Sequence, residues 1–242
     1  MHKHIILYVI LFIMISLFGF TSCTIKQDIY INADSTGQVS FDIQVEKFFT
    51  AVAEDFTTLL PKEDSDITNI NIQDMQASIN QSPYAFNASF DEPEEDHYTG
   101  TFQFGDAHTF FNDVHDELHL ESLFSYTTTG NSHTLKLYLD IRNYAELTEL
   151  IPLLKDPSFA IFGPEENIGV SKADYLDMIS YLLGEEGPDA INRSYISLII
   201  NTDSPIISQK HGIKHSSKQV EFRIPLIDFL LLADPIDYSI TW

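Results

Sequence analysis

An unbroken alternation runs from Val39 to Glu46, with Val39, Phe41, Ile43 and Val45 set against Ser40, Asp42, Gln44 and Glu46. A period of two sends the two sets to opposite sides of an extended chain, so the pattern predicts a half-buried strand. Ile25–Ala33 reads the same way, with Ile29, Ile31 and Ala33 facing away from Asp28, Tyr30 and Asn32. Asp34-Ser35-Thr36-Gly37 between the two runs is a cluster of turn formers, and the pair is predicted to be a β-hairpin with one buried face. The period then changes. Phe48, Phe49, Val52, Phe56, Leu59 and Leu60 recur at helical spacing until Pro61 ends the run.

Residues 62–97 carry isolated apolar positions that suit neither period, and they end in a run of acidic residues, Asp91-Glu92-Pro93-Glu94-Glu95-Asp96, that reads as a solvated loop. Tyr98–Phe104 alternates again as a strand. Gly105-Asp106 then turns into a helix capped by Asp106, with Ala107, Phe110, Phe111, Val114 and Leu118 inward. Leu123–Thr129 and Thr134–Ile141, joined around Gly130-Asn131, form a second predicted hairpin. Asn143 with Glu146, and Ser171 with Asp174, have the spacing of helix-starting capping boxes; Gly184 is placed to close the second helix. Strands follow near Tyr195–Asn201 and Gln219–Ile224, then an apolar turn at Leu226–Leu232 and a last strand at Asp237–Trp242. Hairpins interleaved with helices, without regular strand–helix alternation, predict an α+β fold: an antiparallel sheet built from hairpins with helices packed on one face.

Ahead of the first strand, Lys3 is followed by an apolar run from Ile5 to Phe20 and by Thr21-Ser22-Cys23. A basic start, a short apolar stretch and small residues before a cut point are the marks of an export signal. The run is short for a spanning helix, and no basic residues follow to stop transfer. Residues 1–22 therefore read as a signal peptide, and residues 23–242 as a single extracytoplasmic domain. Leu17-Phe18-Gly19-Phe20-Thr21-Ser22-Cys23 resembles a bacterial lipobox, with Phe20 where Leu or Val is usual, as in spirochaete-like lipoproteins. The resemblance implies palmitate-type acylation of Cys23, the single cysteine of the chain. Buried acyl chains at about 0.8 kcal/mol per CH₂ would then hold the protein to a membrane. The stretch Ile29–Val39 close behind this lipobox is also similar to the opening strand pair of envelope lipoproteins of the LppM type. Phe222-Arg223-Ile224-Pro225-Leu226 and Ile240-Thr241-Trp242 resemble spirochaete-like lipoproteins. These likenesses imply a role in the cell envelope with lipid or glycolipid contact, and they supply no catalytic residues.

Composition narrows the partners. Basic residues number 13 against 36 acidic ones, for a net charge of −23. Such a surface repels phosphate backbones and anionic headgroups, so nucleic acid is excluded as an expected partner and attachment falls to the anchor. The 18 Phe and 11 Tyr are ample for a packed core.

The sharpest candidate for chemistry is His115-Asp116-Glu117-Leu118-His119. Histidines four apart on a helix point the same way and could share a metal. The zinc-peptidase pattern needs Glu directly after the first His, and Asp116 stands there. His108 lies about 10 Å along the helix from His115 on a 1.5 Å rise, too far to share an ion. A metal-dependent hydrolase using His115 and His119 is the alternative to the preferred reading: a non-enzymatic, membrane-anchored lipoprotein that binds a ligand such as lipid, or an envelope partner. No cofactor, metal or catalytic residue is expected. Asn32–Gly37 starts like a calcium loop, but Ile43 stands where the bidentate Glu belongs. Gly130-Asn131-Ser132-His133 lacks the second glycine of a nucleophile elbow.

Overall fold

The alternation around Val39 is realised in the computed structural model, which describes residues 24–44, 72–113, 123–150 and 160–242. Strand β2 (Gly37–Gln44) buries Val39, Phe41 and Ile43 and pairs antiparallel with β1 (Thr24–Ile31), Ile29 opposite Val39. The expected helix over Phe48–Leu60 lies outside the described residues.

On its other side β1 pairs with β7 (Tyr195–Thr202) in parallel, from Thr24 opposite Tyr195 to Ile31 opposite Thr202. A parallel pair needs a long crossover, which the chain between β2 and β7 provides. Added to these are β3 (Phe86–Glu94), β4 (His97–Phe104), β9 (Ile213–Ser216) and β10 (Gln219–Pro225), giving a seven-stranded sheet ordered β3-β4-β2-β1-β7-β10-β9. The second hairpin, β5 (Phe124–Thr129) and β6 (Ser132–Leu139), does not join it. With β8 (Ser208–Lys210) and β11 (Ile236–Thr241) it makes a separate sheet ordered β5-β6-β11-β8. The expected single antiparallel sheet is thus two sheets, one of them with a parallel pair. Both have one apolar face, and these faces meet where Phe222 of β10 stacks on Tyr238 of β11, ring centroids 5.0 Å apart.

Among the described residues strands dominate the fold, and the helices are few. Helices α3 (Lys172–Leu183), α4 (Gly187–Arg193) and α5 (Leu226–Leu231) group at one end of the large sheet. The N–H of Leu226 donates to the carbonyl of Ser194, tying the start of α5 to the end of α4, where β7 begins and β10 ends. Lys172 of α3 pairs with Asp228 of α5. Helix α3 starts and stops as its residues predict: Ser171 accepts the N–H of Asp174, and Gly184, at φ 87°, closes it. The shorter helix α2 (Tyr144–Leu150) is approached differently, because Asp140 Oδ1 takes the N–H groups of both Arg142 and Asn143.

Two further departures have local causes. After Asp106, which accepts the N–H of Thr109 at 2.8 Å, the chain widens into a π-helical turn over Thr109–Asp113 where an α-helix was expected. The wider turn lets the adjacent Phe110 and Phe111 both go inward. Phe110 stacks on Phe104 at 4.7 Å and Phe111 lies against Tyr126. The acidic run expected as a loop instead carries β3 as far as Glu94. This strand lacks alternation because it is irregular, with Asn87 at φ 55° and shifts in its register with β4.

One edge strand of each sheet, β3 in the first and β5 in the second, has outer backbone groups taken by side chains. In helix α1 (Ile72–Asn80), Asn80 accepts the N–H of Ala88 and donates to its carbonyl, while Gln76 accepts the N–H of Phe90. In the π-helical turn, Asn112 does the same for Tyr126 of β5, at 2.7 and 2.8 Å. A side-chain amide has one donor and one acceptor side by side, so each Asn mimics the next strand on an otherwise open edge.

Candidate functional site

The large sheet has an inner face of Val220, Phe222 and Ile224 on β10 and an outer face of Gln219, Glu221 and Arg223. Ladder register extends that outer face into a row: Asp42 of β2 is opposite Lys26 of β1, Lys26 opposite Ser197 of β7, and Ser197 opposite Arg223. The neighbouring position on β10 is Glu221, whose side chain is only 3% exposed.

This buried carboxylate gathers the side chains of Ser197, His215 and Arg223. Oε1 of Glu221 accepts the Ser197 hydroxyl and Arg223 Nε, both at 2.7 Å. Oε2 accepts Arg223 Nη2 at 3.1 Å and lies 2.8 Å from His215 Nε2. Burial pushes the Glu221 carboxyl upward, but the hydrogen bonds from Arg223, Ser197 and His215 outweigh it and hold the group below its ordinary value. Arg223 also lies over the ring of Tyr195, 4.6 Å from its centre. Chemically, this is a neutralised ion cluster. The serine proton points to the carboxylate and not to the histidine, so the order of a serine–histidine–acid relay is absent, and Glu221 cannot take a proton from a substrate without giving up one of its present donors.

No protein-family model matches the chain, and no curated protein does. Among solved structures, the folded domain of Mycobacterium tuberculosis LppM, determined by NMR, is similar to it at 10% sequence identity and a TM-score of 0.38. The match covers 91% of this chain and 89% of that one. A likeness at this level decides neither fold nor activity.

The residues singled out from the sequence do not meet in one place among the described residues. Cys23, His115 and His119 lie outside the described residues, as do Asp116 and Glu117. His108 is exposed at the entrance to the π-helical turn. Asp34 closes its own turn, accepting the N–H and hydroxyl of Thr36 at 3.1 and 2.7 Å; the hydroxyl bond is the main reason its carboxyl is lowered. His133 follows the Gly130-Asn131 turn and is held by Tyr126 Oη at 2.8 Å, its ring in mutual contact with those of Tyr126 and Trp242. Among the described residues no three His, Cys, Asp or Glu side chains are grouped to hold a metal ion, and no helix is long and apolar enough to cross a membrane. The Glu221 cluster escaped sequence reading for a simple reason. Glu221 and Arg223, two apart on a strand, visibly share a face, but Ser197 and His215 reach them only through pairings that the sequence does not announce.

Proposed function

We propose that this chain is a non-enzymatic lipoprotein of the cell envelope, tethered through acylated Cys23, whose domain contacts an envelope lipid or protein. The observation that carries the reading is the continuity of leader and domain: an export signal ends at the chain's single cysteine, and β1 begins at the next residue, Thr24. A free thiol in an oxidising compartment has no evident use at that place, whereas an acylated one is an anchor. The saturated Glu221 cluster supports a structural use of the described polar groups. The acidic surface disfavours nucleic acid.

The test is expression of the full chain with its leader in a bacterial host, followed by detergent phase partition and intact mass measurement. The wild type is expected in the detergent phase, with a mass beginning at residue 23 plus acyl groups; Cys23→Ser is expected unacylated and in the aqueous phase. Wild-type protein that is aqueous and carries no acyl mass would overturn the reading. Native mass spectrometry of the acylated protein with envelope lipids then tests the ligand: a retained lipid mass supports binding, and none leaves a protein as the partner.

A further inference from the structure

We infer that the end of the large sheet at which β1 begins, together with helices α3–α5, is the surface this protein lays against a bilayer, an inference that rests on the acylation of Cys23 proposed above. One peptide link separates Cys23 from Thr24, and a residue spans at most about 3.6 Å, so the anchor has almost no slack. Strand β1 is itself an interior strand, laddered to β7 along one side from Thr24 and to β2 along the other from Ile25. A tether of this length at the end of a strand locked on both sides sets an orientation as well as a location.

Strand direction then decides which features face the lipid. Beside Thr24 lie Tyr195 at the start of β7, Pro225 at the end of β10 and the β3–β4 turn at Glu95-Asp96. Helices α4 and α5 meet at this end through Ser194 and Leu226, and α3 is attached to them through Lys172. Tyr175 Oη of α3 donates to the carbonyl of Phe162 in the segment before it; Ile161 and Ile168 of that segment and Tyr181 and Leu182 of α3 are exposed. At the opposite end are the Asn32–Thr36 turn and Lys218, one strand length or about 23 Å away at 3.3 Å per residue. Because the last residues of β3 and the turn after it carry Asp91, Glu92, Glu94, Glu95 and Asp96, the surface that suits this end is a zwitterionic bilayer; an anionic one opposes it.

The experiment uses the full chain, acylated in the cell and reconstituted on zwitterionic vesicles whose outer headgroups carry an energy acceptor. Single cysteines are introduced at two exposed turns, Glu95→Cys beside β1's start and Ala33→Cys at the far end, and labelled with one donor dye. Energy transfer from position 95 is expected to exceed that from position 33 by more than about twofold, given the ~23 Å between them. Equal transfer from both positions, or stronger transfer from position 33, would overturn the orientation while leaving the anchor intact. Protein that fails to float with the vesicles and carries no acyl mass would overturn both, and flotation reports this before any dye is read.

Discussion

Gly100 shows how one residue sets local packing. It sits on β4 where a Cβ would come within 2.2 Å of Phe90 and 2.3 Å of Phe41, two rings that meet edge to face at 5.2 Å. Gly100→Ala is expected to lower stability by about 1–3 kcal/mol, the usual cost of overpacking, measured by urea denaturation. Asp140 gives a pH-dependent case. Its carboxylate is held by the Arg142 guanidinium, the Tyr138 hydroxyl and the N–H groups of Arg142 and Asn143. Arg142 is the largest cause, and against the opposing effect of burial its pKa is pushed down from 3.8 to about 2. A folded-state pKa below the unfolded one stabilises the native protein above the unfolded value, and the gain is lost as pH falls from about 4 toward 2. Asp140→Asn is therefore expected to reduce the denaturation midpoint at pH 6 and to converge with the wild type near pH 2. Convergence that is absent would remove this carboxylate from the acid-sensitive groups.

Among elements, the amide clamps on β3 and β5 make a distinct prediction. Asn80→Ala or Asn112→Ala leaves one N–H and one carbonyl of an edge strand without protein partners, at roughly 0.5–1.5 kcal/mol for each lost bond. Each variant is expected to be less stable and, with an edge reopened, to self-associate at lower concentration, which sedimentation velocity reads directly. Unchanged sedimentation would show that the clamps serve stability alone. Elements with a regular period were legible in the sequence: β1 and β2 from Ile29 through Ile43, β6 from Leu135 through Leu139, and α3 from its Ser171 and Gly184 caps. Elements without one were not. Strand β3 buries only Ala88 fully among its apolar residues, β8 and β9 are short and exposed, and the adjacent Phe110 and Phe111 suit an α-helical stripe as well as the π-helical turn that they occupy.

At the scale of the molecule, the buried side chains of both sheets and of the helical group form one continuous core. Trp242 at the C-terminus packs on Tyr126 and His133, and Tyr144 of α2 meets Phe229 of α5. The expected outcome is a single unfolding transition for the whole domain, coincident in near- and far-ultraviolet circular dichroism. Two separated transitions would divide it into independent sheets.

By itself the sequence determined what depends on neighbours along the chain: the hairpins, the capped helix and the excess of acidic residues. These follow from period, turn chemistry and charge, all local properties. Only the tertiary structure decided that β1 lies mid-sheet beside β7, that β6 seeks β11 instead of the first hairpin, and that Ser197, His215 and Arg223 converge on Glu221. One apolar strand face looks like another in sequence. The choice of partner is made by packing across the core, where Phe222 meets Tyr238 and Phe104 meets Phe110.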